Sequence, residues 1–128
     1  MAQGKLFQEV KNRLSEYVDT AGGDEYDGQI IGEILACEID LTSSAEIRLP
    51  GSIRITRTYN EQTGKWTVTD TSTLTDQFVI TVIATWCILH IGNPPNSEFL
   101  LKSYNSKKGQ MRMSKRYTDF EGATGCGR

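Results

Sequence analysis

Histidine and cysteine are the side chains in this sequence that could act as a general base and a nucleophile. The chain contains one histidine, His90, and three cysteines, Cys37, Cys87 and Cys126. A Cys–His catalyst needs the imidazole within hydrogen-bond reach of the thiol. Cys87 lies three residues before His90 in an apolar run that favours a β-strand, and residues three apart in a regular strand point to opposite faces. The spacing therefore predicts no catalytic pair.

Metal and phosphate sites have recognisable spacings, which the sequence lacks. No Cys-x-x-Cys or His-x-x-x-His pair occurs, so the cysteines and the histidine do not indicate a zinc site. Asp24, Glu25 and Asp27 are close together, but their spacing differs from that of a calcium loop, and the twelfth residue counted from Asp24 is Leu35. No glycine-rich phosphate motif is present. We therefore predict a protein that is not an enzyme and that binds no metal ion or cofactor.

Charge is unevenly distributed along the 128-residue chain, although its net charge is only −2. Residues 14–47 contain no lysine or arginine, and their acids are Glu16, Asp19, Asp24, Glu25, Asp27, Glu33, Glu38, Asp40 and Glu46. Residues 99–118, called the basic segment below, contain six bases and no acid. Two regions of opposite sign predict binding to charged partners or to each other.

The basic segment is the strongest candidate for a binding site. Its bases and interleaved tyrosines are Lys102, Lys107, Lys108, Arg112, Lys115, Arg116, Tyr104 and Tyr117. Nucleic acid is one candidate partner, because the cations would contact phosphates and the rings would stack on bases. An anionic membrane surface is another, and the acidic region of a second copy is a third. The alternative without a partner is a charged edge hairpin that only prevents aggregation.

The elements that position these residues are organised around one long apolar run, residues 78–91. The run is rich in β-branched and aromatic side chains, and it ends at Gly92-Asn93-Pro94-Pro95. These features favour a buried β-strand. Because such a strand would be apolar on both faces, each face needs a cover.

The first third of the chain predicts one helix and one ambiguous segment. Residues 3–20 repeat apolar side chains every three or four positions, which predicts an amphipathic helix ended by Gly22-Gly23. Residues 29–41 fit either a helix or a strand. We favour a strand from Ile34 onward, because its alternation is cleaner and Gly32 would weaken a helix.

Two hairpins are predicted further along the chain. Residues 52–59 and 65–71 alternate apolar and polar side chains around a turn that contains Gly64, which indicates a β-hairpin with one apolar face. Residues 98–104 and 110–117 predict a second hairpin, which would place the basic residues at 105–109 at its tip.

Together these segments predict an α+β fold, with the N-terminal amphipathic helix packed on a mostly antiparallel β-sheet of five to seven strands. We expect one globular domain, residues 1–120, and a flexible C-terminal tail, residues 121–128. The N-terminus lacks the apolar core of a classical signal peptide, and the apolar run is shorter than the roughly 20 residues of a membrane-spanning helix. We therefore expect an intracellular or virion-associated protein without a transmembrane segment.

The leading functional hypothesis is a non-enzymatic structural protein that self-associates and presents the basic hairpin to an anionic partner, as a viral matrix-like or virion assembly protein would. A homo-oligomer is expected because one helix leaves the second face of the apolar run uncovered. The residues predicted to contribute to self-association are Glu16, Asp19, Asp24, Glu25, Asp27, Trp86 and Ile88. The alternatives are a small nucleic-acid-binding accessory domain, and an enzyme or small-ligand binder with a pocket between helix and sheet near Trp86 and Tyr59.

Overall fold

The fold, taken from a computed structural model that describes residues 4–18, 25–92 and 94–118, is built mainly from helices. The described elements are α1 (Leu6–Leu14), α2 (Asp27–Ile39), β1 (Ile55–Asn60), β2 (Lys65–Asp70), α3 (Gln77–Cys87), α4 (Ser97–Arg112) and α5 (Lys115–Thr118). A π-helical turn continues α2 over Asp40–Ser44, and another continues α3 over Ile88–Gly92. In these residues the strands form a single two-stranded sheet. The chain is therefore mixed helix and strand, but the predicted sheet of five to seven strands is wrong.

The apolar run is the central helix α3 and its π-helical turn, and not a strand. Asp76 is the N-cap of α3, and its Oδ1 accepts hydrogen bonds from the backbone N–H groups of Phe78 and Val79 at 2.9 and 3.2 Å. The hydroxyl of Thr85 donates to the carbonyl of Thr81 one turn earlier, so this buried polar group is satisfied within the helix. A helix that is apolar on nearly all sides is stable when it is buried on all sides. Here α1, α2 and α4 all contact α3.

Segment 29–41 lies in α2 and its π-helical turn, so the preference for a strand from Ile34 onward is wrong. Ile30, Ile34, Cys37 and Leu41 are all fully buried, and their spacing is that of one helical face. Burial of this face outweighs the cost of Gly32, which is roughly 1 kcal/mol relative to alanine. Because α2 contacts α3 in addition to α1, the expectation that one helix leaves the second face of the apolar run uncovered is wrong.

The predicted second hairpin is also wrong, because its residues form the single helix α4 followed by α5. Leu100, Tyr104 and Met111 lie on one face of α4 and pack against the core. Gly109, in the predicted hairpin tip, lies within the helix, and apart from its neighbours and the adjacent helix backbone no atom lies within 4 Å of the position that a Cβ would occupy. There is therefore no basic hairpin, and the bases project from a helix in several directions.

The first predicted hairpin is present, but its strands, Ile55–Asn60 and Lys65–Asp70, differ in their bounds from the prediction and are exposed over most of their length. The antiparallel strands β1 and β2 pair in a register that sets Ile55 opposite Asp70 and Tyr59 opposite Trp66. Asp70 then connects the hairpin to α1, because its Oδ2 accepts the backbone N–H of Phe7 at 2.8 Å. Both side chains at the inner end of the hairpin, Ile55 and Asp70, are buried.

The predicted N-terminal helix is present but shorter than predicted, and it packs on α3 instead of on a sheet. Its apolar face consists of Leu6, Phe7, Val10 and Leu14, all buried. The glycine stop at residues 22–23, the acidic side chains of Asp19 and Asp24, and the tail 121–128 with Cys126 lie outside the described residues.

Candidate binding surface on α4 and α5

The candidate binding residues are the exposed bases of α4 and α5, which are together called the basic surface below. Lys102, Arg112 and Lys115 are exposed, and no described carboxylate lies within salt-bridge distance of them. Arg112 lies in the last turn of α4, where a cation also interacts favourably with the helix dipole. Lys107 is partly buried and donates from Nζ to the hydroxyl of Ser103 at 2.8 Å. The basic surface can therefore contact an anion with three of the six predicted bases.

Lys108 and Tyr104 are used inside the protein, against the end of α2. The Tyr104 hydroxyl donates to Oδ2 of Asp40 at 2.6 Å, and Lys108 Nζ donates to the same oxygen at 3.0 Å. Although burial alone would raise the pKa of Asp40, these hydrogen bonds lower it below its usual value. The Tyr104 ring is buried, so it is not exposed for stacking on a nucleic acid base.

Arg116 and Tyr117 form a second internal connection, between α5 and the start of α3. The Arg116 guanidinium lies 2.7 Å from Oδ2 of Asp76, and the Tyr117 hydroxyl donates to the same oxygen at 2.9 Å. The Tyr117 ring is buried and lies against Phe78, with 6.2 Å between the ring centroids. Tyr117 therefore packs inside the protein, and its ring is not exposed for stacking on a partner.

Exposed apolar side chains lie on the same helix as two of the free bases. The sequence analysis did not predict these apolar side chains. Phe99 and Leu101 are exposed on α4, and Met113 at the C-cap of α4 is 89% exposed. In a hairpin these residues would alternate onto an inner face, whereas in a helix they fall outside the buried face of Leu100 and Tyr104. A helical reading of the basic segment would have revealed them.

The residues predicted for self-association are only partly available. Glu16 and Glu25 are exposed. Asp27 is buried and accepts a hydrogen bond from Lys11 Nζ at 2.8 Å, and Ile88 is buried in the core. Trp86 is partly buried and donates from its indole N–H to Glu33 at 2.9 Å. Asp27 and Ile88 are therefore not exposed for contact with a second copy, and Trp86 is exposed only in part.

The two described cysteines, Cys37 and Cys87, are buried thiols. Burial raises the pKa of the Cys37 thiol to about 12, and burial also raises the pKa of Cys87, so both thiols stay protonated near neutral pH. His90 lies on Trp86, with 4.2 Å between ring centroids, and its Nδ1 is 2.8 Å from the Trp86 carbonyl oxygen. Within the described ranges, no group of three or more His, Cys, Asp and Glu side chains could hold a metal ion.

Similarity and hydropathy add two findings. In the part of the chain that the structure describes, every helix is too short or too polar to cross a membrane. Comparison with protein-family models, with curated proteins and with solved structures found no match.

Proposed function

We propose that this protein is a non-enzymatic assembly domain whose basic surface docks onto the acidic side of a second copy. The observation that carries the proposal is the mixture of unpaired cations, Lys102, Arg112 and Lys115, with exposed apolar side chains on the same two helices. Apolar contact supplies free energy in such interfaces, and charge supplies orientation and partner choice.

The complementary surface is centred on α2. Ile39 is 61% exposed, and Leu35 is exposed one turn earlier on the same face of α2. Glu38, between them in the sequence, is partly exposed, and Glu25 before the start of α2 and Glu16 after the end of α1 are exposed. A basic surface that meets a different, acidic surface gives a heterologous contact, which builds rings or open filaments.

The first test measures solution mass by sedimentation across protein concentration and salt. We expect the wild-type protein to associate at low salt and to dissociate as the salt concentration rises, because charge attraction between exposed groups is screened over about 8 Å at physiological ionic strength. The double variant Lys102→Glu, Lys115→Glu should remain monomeric. These two residues are exposed and lie outside the core, so the variant should fold normally.

The matched control is the double variant Arg54→Glu, Lys65→Glu, which changes the net charge equally but alters the hairpin, where both residues are exposed. It should associate like the wild type. A wild-type protein that stays monomeric at high concentration and low salt would refute the proposal. Salt-sensitive binding of that monomer to phosphatidylserine vesicles would assign the basic surface to a membrane instead.

The hairpin favours a second candidate function, binding of single-stranded nucleic acid. Tyr59 and Trp66 are about half exposed, with 5.1 Å between their ring centroids. The Arg57 guanidinium lies 4.1 Å from the centroid of Trp66 and holds that ring in place. Aromatic rings beside cations are the usual means of binding unpaired bases. Binding of an oligothymidine that survives Lys102→Glu, Lys115→Glu but is lost in Arg54→Glu, Lys65→Glu would support this candidate.

A further inference from the structure

A cleft of about 590 Å³ lies where the π-helical turn after α2 approaches the end of α4 and α5. Its lining residues are Thr42, Ala45, Glu46, Arg112 and Thr118. The volume is within the usual range for small-molecule sites. Of these residues only Arg112 also belongs to the basic surface, so the cleft has a chemistry of its own.

The backbone of Glu46 is the first unusual feature of the cleft. Its φ angle is +57°, which makes it the one non-glycine residue with positive φ among the described residues. The chain reverses here because the N–H of Ile47 bonds to the carbonyl of Leu41, which buries the Ile47 side chain in the core. Glycine normally occupies such a helix-ending position, because it has no Cβ to clash in the left-handed region. The fold requires the reversal but does not require a carboxylate there.

The charges around the cleft are the second feature. Glu46 and Arg112 both line it, yet they form no ion pair with each other or with another described residue. Two opposite charges that line one cleft without neutralising each other can each bind one end of a ligand. The guanidinium suits a carboxylate or phosphate, which it can hold with two parallel hydrogen bonds.

The two threonines add hydrogen-bond acceptors to the cleft, which bear on the chemistry of the other end of the ligand. The Thr42 hydroxyl donates to the carbonyl of Glu38, and the Thr118 hydroxyl donates to the carbonyl of Ser114, each at 2.8 Å. With their protons used, these oxygens can only accept further hydrogen bonds. The cleft therefore offers three acceptors, Glu46 and the two hydroxyl oxygens, and one strong donor, Arg112. An ammonium group carries only N–H donors, so it suits a lining made mainly of acceptors, whereas the guanidinium suits the anionic end.

We propose that this cleft binds a small zwitterion that carries an ammonium group and a carboxylate or phosphate. Free amino acids and the ethanolamine phosphate group of lipids share this chemistry. The inference does not depend on self-association, because the cleft is formed within one copy.

The experiment titrates the full chain with glycine, β-alanine and O-phosphoethanolamine and follows backbone amide signals by NMR. Methylamine and acetate are the single-charge controls. We expect saturable shifts at Thr42, Glu46 and Thr118 with the zwitterions, and at least about tenfold weaker binding of the singly charged compounds, since each lacks one of the two charge-assisted contacts. Stronger binding of O-phosphoethanolamine would point to a lipid headgroup, and stronger binding of glycine or β-alanine to free amino acids.

Two variants test the assigned roles. Glu46→Gly should weaken zwitterion binding at least about tenfold while raising the melting temperature, because glycine relieves the backbone strain. Arg112→Met should weaken zwitterion binding by a similar factor without raising the melting temperature. Lys102→Glu, Lys115→Glu should bind zwitterions like the wild type even if self-association is lost. Unchanged affinity in Glu46→Gly, or no saturable shift with any zwitterion, would overturn the proposal.

Discussion

Asp76 is the best position at which to test the contacts that stabilise this fold, because its two carboxylate oxygens accept hydrogen bonds from different elements. Oδ1 caps α3, whereas Oδ2 accepts the Tyr117 hydroxyl and the Arg116 guanidinium from α5. The carboxylate side chain is only 7% exposed, so water cannot easily replace these partners. Substitutions that remove one function at a time should separate the cap from the connection to α5.

The expected free-energy changes follow from the contacts. Asp76→Asn keeps a good N-cap oxygen but leaves the Tyr117 hydroxyl without its acceptor, and should lower the free energy of unfolding by about 1.5–2 kcal/mol. Asp76→Ala also removes the cap, which is worth about 1 kcal/mol, and should cost about 3 kcal/mol in all. Tyr117→Phe should cost about 1–2 kcal/mol. Since Arg116 is exposed and screened, its contribution is small.

Urea denaturation at neutral pH, followed by circular dichroism, measures these differences. The double variant Asp76→Asn, Tyr117→Phe is the control for coupling, and it should be no less stable than Asp76→Asn alone, because both changes remove the same hydrogen bond. Equal losses in Asp76→Asn and Asp76→Ala would show that the cap contributes nothing. A neutral Tyr117→Phe would refute the connection between α5 and α3.

The same site predicts a dependence on pH. Burial alone would raise the pKa of Asp76, but hydrogen bonds from Arg116, Tyr117 and the backbone N–H of Val79 lower it below the usual 3.8. A carboxyl whose pKa is lower in the folded state than in the unfolded state stabilises the fold above the unfolded pKa, and this contribution is lost as the pH falls through the folded pKa. As the pH is lowered below about 4, the urea concentration at the unfolding midpoint of the wild type should therefore decrease. It should decrease more steeply than the midpoint of Asp76→Asn. Equal slopes in the two proteins would contradict this assignment.

Two further comparisons test the helices that the sequence did not predict. Gly109→Ala should stabilise the protein by about 0.5–1 kcal/mol, because the added methyl group enters open space beside α4. Gly51→Ala should destabilise the protein by more than about 1 kcal/mol, because the φ of Gly51 is +151° and a Cβ would meet the backbone of Leu74. Ile83→Ala in α3 should cost about 2–5 kcal/mol, but Ile39→Ala, exposed on α2, less than about 0.5 kcal/mol in a monomeric sample. Thermal and urea unfolding measure all four changes. A stabilised Gly51→Ala, or equal costs at Ile83 and Ile39, would contradict the packing described above.

Sequence patterns predicted the parts of the fold whose stability is local. The hairpin of β1 and β2 followed from alternation and a glycine turn, and α1 followed from its apolar face, because in both cases the neighbouring residues decide the conformation. The prediction of a strand for the apolar run was wrong because β-branched side chains favour strands only when they can pack in a sheet. Its length was the overlooked signal, since 14 residues exceed a typical strand of 4–8.

The candidate site was predictable in composition but not in arrangement. The six bases of the basic segment can be read directly from the sequence, yet whether a base is free or paired depends on residues far away. Lys108 pairs with Asp40, which lies 68 positions earlier in the chain, and Arg116 pairs with Asp76, which lies 40 positions earlier. No local pattern reports such pairs, because they exist only once α2 and α3 have packed against α4 and α5.

The central position of α3 has a consequence for how the protein behaves before it is folded. Residues 78–91 carry no acidic residue, lysine or arginine and retain a strong intrinsic preference for extended structure. While α1, α2 and α4 enclose them, the Asp76 cap commits them to a helix. In an unfolded or partly synthesised chain, the same residues form an aggregation-prone segment. Solubility during expression therefore depends on how fast α4 and α5 close over α3, and variants that weaken the Asp76–Tyr117 contact should precipitate before they lose their native helix content.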